Sequence, residues 1–127
     1  MKEIMAVIRM NKMNETKNAL SEAGYPSMLC KKVTGRGKKM VNMDILEDLI
    51  EGKEIDNPHL IETITENNRF IAKRLIYLVV HDEDVKSVID LLIDVNQTGN
   101  MGDGKIFVCP VDDAIRVRTD ECGDLAI

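Results

Sequence analysis

Between Thr98 and Lys105 the chain reads TGNMGDGK, with three glycines, one aspartate and one lysine just ahead of the apolar run IFV. Glycine weakens a regular element, so this concentration needs a local reason. Closely spaced glycines expose consecutive N–H groups that can bind phosphate oxygens, and Lys105 adds a point charge. A helix C-cap followed by a tight turn would account for Gly99, but not for Gly102 and Gly104. A Walker-type loop is excluded: it opens a helix and places Ser or Thr after its lysine, whereas Ile106 follows Lys105 here. Gly102, Asp103, Gly104 and Lys105 are thus candidates for an anion cradle.

Further cations could converge on the same anion. In IRVRT, an extended chain would place Arg116 and Arg118 on one face with Val117 opposite, and paired guanidiniums suit a polyphosphate. A solvated edge strand kept soluble by charge would look the same. In TGRGKK, Gly35 and Gly37 flank Arg36, and Lys38 and Lys39 follow, giving flexible amides and cations at the mouth of a long insert. Lys73 lies inside the apolar run FIAKRLIYLVV, where a lysine must sit near an end, snorkel or meet an anion. His59 and His81 read as loop residues without the neighbours of a triad or metal cluster.

The composition narrows the classes. A chain of 127 residues suits one domain with a real core, which we assign to 1–127. Aromatics are 3% and Trp is absent, so stacking platforms for single-stranded nucleic acid are not expected. The net charge of −5 also argues against a nucleic-acid partner. No apolar run is long enough to insert into a membrane, and no signal peptide opens the chain. Cys30, Cys109 and Cys122 form neither a disulfide framework nor a zinc pattern, which fits a reducing cytoplasm.

The elements that must hold these residues alternate. Lys2–Arg9 reads as a strand, Asn11–Ala23 as a helix and Met28–Thr34 as a strand. Phe70–Val80 is the strongest strand, and Asp82 is placed to cap a helix running to about Asn96. A strand at Lys105–Val111 and a strand-like piece at Ala114–Thr119 close the chain. The order predicts an α+β, ferredoxin-like βαββαβ sandwich with a long insert and an extra C-terminal strand. Two helices cover one sheet face, so the other is expected to stay apolar and to favour self-association.

The insert, 37–69, far exceeds ordinary loops of about six residues. From Met40 to Asn68 it has eight acids against Lys53, a net −7 within a chain of −5, so the remainder carries +2. Ile45, Leu46, Leu49 and Ile50 form one apolar cluster at helical spacing, and Leu60, Ile61 and Ile64 a second. They either pack on the body or form a stripe that docks on a partner.

TGNMGDGKIFV matches, almost residue for residue, the C-terminal signature of the PII family of nitrogen-signalling proteins, and AIRVRTDECGDLAI resembles its tail. The resemblance covers nearly the whole chain except the insert. It implies a trimeric sensor, not an enzyme, with nucleotide sites in clefts between subunits and a mobile T-loop that docks on targets. By position, Gly35, Gly37 and Lys38 would approach ATP or ADP, and Val79 would hold the base through its backbone. Gly102, Asp103, Gly104 and Lys105 would cradle the phosphates. Arg116, Val117 and Arg118 would come from the neighbouring subunit, and Lys73 would pair with a carboxylate of 2-oxoglutarate.

Departures from the family pattern qualify this. Lys39 stands where the family has the glutamine that contacts magnesium. A protonated lysine cannot coordinate a metal, which puts the magnesium-dependent form of the site in doubt. Lys39 would instead meet a phosphate or the 2-oxoglutarate carboxylate. Leu29 replaces the family's adenine-contacting threonine. The insert has no Tyr or Ser to modify. GRGK and the unusual loop resemble the nitrogen-fixation subgroup, which implies nitrogenase as the target and pairing with a related subunit. Two rivals stand beside this reading: a phosphotransferase, with Asp103 as the one carboxylate in the cradle, and a structural trimer of the ion-tolerance type.

Overall fold

In a computed structural model the residues described are 1–37 and 70–127. Lys38, Lys39 and the docking-loop candidates Ile45, Leu46, Leu49, Ile50, Leu60, Ile61 and Ile64 lie outside the described residues. The chain divides into two units, Met1–Val33 with Ala72–Ile127, and Thr34–Ile71. The second includes Gly35, the last residue of a strand, and Gly37.

The elements are β1 (Lys2–Arg9), α1 (Met13–Glu22), β2 (Leu29–Gly35), β3 (Ile71–Val80), α2 (Val85–Asn96) and β4 (Gly104–Pro110). The strands form one sheet in the order β2-β3-β1-β4, the expected ferredoxin-like order. β1 lies between β3 and β4 and is antiparallel to both.

Alternation along β1 divides the sheet into two faces. Ile4, Ala6 and Ile8 are buried with Ile76, Leu78 and Val80 of β3, beneath Leu20 of α1 and Val88 and Leu92 of α2. Each large aliphatic side chain buried there stabilises the fold by about 1.5–3 kcal/mol. Thr16 and Asn96, both buried, join the helices: the Asn96 amide donates to Thr16 Oγ1 at 3.1 Å and to the Leu92 carbonyl at 2.9 Å.

The opposite face carries Met5, Val7, Leu75, Tyr77, Val79 and Phe107, and Phe107 is 47% exposed. No described helix covers it, as the element count predicts. Its cations collect at one end, where Arg9 faces Lys73 directly across the β1–β3 pair and Lys105 lies opposite Val7.

Two local expectations are corrected. Asp82 does not cap α2: its carboxylate meets the N-terminal ammonium of Met1 at 3.0 Å, and a 3-10 turn over Asp82–Asp84 leads into the helix. That ammonium also lowers the Asp82 pKa. Likewise a 3-10 turn over Met10–Lys12 precedes α1.

The second correction is larger. Ala114–Thr119 is not an extra C-terminal strand. Ile115 makes one isolated bridge to Cys122, and the chain turns at once. The Arg116 carbonyl accepts from the amides of Thr119, at 3.2 Å, and Asp120, at 2.8 Å. Asp113 Oδ1 accepts from the amides of Ala114, at 2.8 Å, and Gly123, at 3.0 Å. These local bonds override the β-propensity of Ile115 and Val117. Arg116 and Arg118 therefore do not share one face of an extended strand.

Candidate functional site

The loop from Thr98 to Gly104 connects α2 to β4, and one carboxylate organises it. Asp103 Oδ2 accepts from the amides of Thr98, at 2.8 Å, and Gly99, at 3.0 Å. Oδ1 accepts from the Thr98 hydroxyl and from Arg9 Nη1 at 2.9 Å. The Thr98 hydroxyl and amide are the main causes that lower the Asp103 pKa; Gly99 and Arg9 add to this and burial opposes it. The carboxylate stays charged to lower pH than a free one, and its turn toward its own loop makes it an anchor. Met101, Gly102, Gly104 and Lys105 remain exposed.

Two cations hold the loop from below. Arg9 Nη2 donates to the Met101 carbonyl at 2.9 Å, and Lys73 Nζ donates to the Gly102 carbonyl at 2.6 Å. Two cations directly opposite on an antiparallel pair repel each other. The Asp103 carboxylate and the two loop carbonyls offset that repulsion. Burial first, then Arg9, lowers the Lys73 pKa, with Asp103 acting the other way. The geometry thus places Lys73 at the loop and adds Arg9, which was absent from the expected set. Strict alternation from Ile4, Ala6 and Ile8 could have placed Arg9 on the uncovered face beside Lys73.

Gly104 fits only as glycine. Its φ is +122°, and a Cβ there would lie 1.9 Å from the Val7 carbonyl oxygen. The first residue of β4 thus approaches β1 too closely for a side chain, which fixes where the cradle begins.

The remaining expected residues are arranged along the sheet and in the tail. Lys105 and Leu75 both lie opposite Val7, so Val79 stands four residues along β3 from the level of Lys105, roughly 13 Å at ~3.3 Å per residue. In the tail, Arg116 Nη1 pairs with Glu121 Oε2, and Nη2 donates to the Leu125 carbonyl at 2.9 Å. Val117 is 99% exposed and Arg118 is exposed. Within this chain Arg116 is held by its own turn, and among the described residues neither Arg116 nor Arg118 makes a hydrogen bond or ion pair to the cradle. Such a loop offers exposed backbone and Lys105 to a polyanion, with Arg9 and Lys73 beside it for a second, smaller anion.

A family model described as nitrogen regulatory protein P-II matches residues 1–121. A nitrogen fixation nifHD region GlnB-like protein 2 from Methanobacterium ivanovii is 45% identical over 127 residues, covering 100% of this chain and 99% of that relative. A nitrogen regulatory protein P-II 2 from Methanothermobacter thermautotrophicus is 38% identical, with 100% and 97% covered. Arabidopsis thaliana PII, in a crystal structure bound to citrate, superposes with a TM-score of 0.71 at 32% identity, covering 99% of this chain and 91% of that one.

Proposed function

The chain belongs to the nitrogen regulatory protein P-II family, and from that membership we propose that it is a nitrogen-status transducer. It binds ATP or ADP and 2-oxoglutarate and regulates a target protein, nitrogenase foremost, through the insert 37–69. The nifHD-region names of its relatives support that choice of target.

One arrangement carries the reading. Along the strand direction the Val79 position stands roughly 13 Å from the level of Lys105, with β1 between their two strands, an offset that suits a nucleoside whose phosphate chain extends toward the exposed Gly102–Lys105 segment. Phosphates would lie on the loop amides and Lys105, and the family resemblance adds Gly35, Gly37 and Lys38 to the nucleotide-binding set. Lys73 and Arg9 suit the dicarboxylate, with Lys39 as a further cation. The Arabidopsis relative bound to citrate supports an anionic ligand on this fold. The apolar uncovered face suits a homotrimer, or assembly with a related subunit, in which Arg116 and Arg118 reach a neighbour's cradle.

A regulator fits this site better than a phosphotransferase does. Asp103 is occupied by the Thr98 and Gly99 amides, the Thr98 hydroxyl and Arg9, and its lowered pKa makes it a poor general base. Among the described residues no helix is long and apolar enough to cross a membrane. We place the protein in the cytoplasm.

Calorimetric titration of the purified chain with ATP, with and without 2-oxoglutarate, tests the reading. Saturable ATP binding that 2-oxoglutarate strengthens is expected, and Arg116→Ala should weaken it roughly tenfold through loss of a charge-assisted contact. Unchanged ATP affinity in that variant would remove the arginine from the site.

A further inference from the structure

Arg116 is neutralised by its own chain. Glu121 Oε2 accepts from Arg116 Nη1 and, at 2.9 Å, from the Thr119 hydroxyl. The backbone delivers this carboxylate. The Arg116 amide donates to the Glu121 carbonyl at 2.9 Å, and Asp120 takes a φ of +61°, a left-handed conformation that side-chain-bearing residues seldom adopt. The Gly123 amide closes the turn on the Ala114 carbonyl at 2.9 Å.

The pair is also open to solvent. The Arg116 and Glu121 side chains are 37% and 43% exposed, and ion pairs of that exposure are weak. A phosphate can displace such a partner. Glu121 and Leu125 engage one nitrogen each of a guanidinium that has five N–H donors, so a phosphate can also bind beside the carboxylate. Either way the ligand meets a negative charge next to the cation that recruits it. Arg118, two residues on, makes no ion pair among the described residues, so the masking is specific to Arg116.

We propose that Glu121 sets the site's specificity for nucleotide charge: it holds Arg116 neutral and penalises the more highly charged nucleotide. This rests on Arg116 contacting the phosphates, as proposed above. The carboxylate repels a triphosphate more than a diphosphate, so it moves the balance between ATP and ADP toward ADP. A sensor that reads that balance needs the two affinities close together, and an unmasked arginine pair would favour the triphosphate.

The test is calorimetric titration of the full chain with ATP and with ADP, for wild type, Glu121→Gln, Glu121→Ser and Glu121→Asp. Gln keeps an acceptor oxygen for Arg116 and Thr119 but loses the charge; Ser also loses the charge; Asp retains it. Removing a charge near a polyphosphate is expected to tighten ATP binding about fivefold and ADP binding about twofold in both uncharged variants. Glu121→Asp should keep the wild-type ratio of the two affinities. Weaker or unchanged ATP binding in the uncharged variants, or equal gains for both nucleotides, overturns the proposal and leaves Glu121 a structural part of the turn. A wild-type chain that binds neither nucleotide contradicts the nucleotide reading itself.

Discussion

Gly104→Ala is expected to cost roughly 3 kcal/mol or more and to abolish ATP binding, because the new methyl group collides with backbone. At 1.9 Å from the Val7 carbonyl oxygen no rotamer change relieves the contact, and a φ of +122° disfavours any L side chain there. The strand pair must separate where Val7 faces Lys105. Domains of this size are stable by about 5–15 kcal/mol, so the loss is a large fraction. A melting temperature lower by roughly 10 °C is expected. Gly102→Ala is the comparison. Its φ of +97° also disfavours an L side chain, but its Cβ would meet only the ends of two side chains, Arg9 Nη2 at 3.2 Å and Lys73 Nζ at 3.6 Å, which can move, so a smaller cost of about 1–2 kcal/mol is expected. Equal melting temperatures for the two variants would show that the β1–β4 approach is not what requires glycine.

Lys73→Ala is expected to eliminate the effect of 2-oxoglutarate on ATP binding while changing ADP affinity less than about threefold. Lys73 uses one ammonium donor on the Gly102 carbonyl, and two remain for a ligand carboxylate. Its lowered pKa reflects partial burial and the adjacent Arg9. An anion arriving between the two cations relieves their repulsion, so its binding is tied to this lysine. The substitution leaves Arg9 bonded to Asp103 and Met101, so the cradle should stay ordered. Calorimetry with ADP alone, and with ATP at increasing 2-oxoglutarate, separates the two effects. A retained 2-oxoglutarate response would exclude Lys73 from that site.

Much of the architecture can be read from residue order because alternation and helical spacing are strong in β1, β3 and α2. The core positions Ile4, Ala6 and Ile8, and Val88 and Leu92, follow from those periods. The glycines of the cradle were equally legible, because a special backbone leaves glycine as its mark. The role of Asp103 was not: a carboxylate beside glycines reads as part of a ligand cradle, and only coordinates show it turned onto Thr98, Gly99 and Arg9. Alternation in β1 puts Arg9 on the uncovered face, but its partner Asp103 is 94 residues away, so the pairing itself left no local pattern. The tail failed for the opposite reason. Ile115 and Val117 suggest a strand, but Asp113 and the amides of Thr119 and Asp120 satisfy the backbone locally and reverse it. The pairing of Arg116 with Glu121 follows from that reversal.

The central claim is that a nucleoside phosphate lies on the backbone of Gly102 to Lys105. Titrating ATP into the ¹⁵N-labelled chain and following the amide resonances tests it most directly. The account predicts that the largest shifts fall on the amides of Gly102, Gly104 and Lys105, together with the guanidinium signal of Arg116. Saturable binding that leaves those amides unmoved, with the shifts clustered elsewhere, would contradict it.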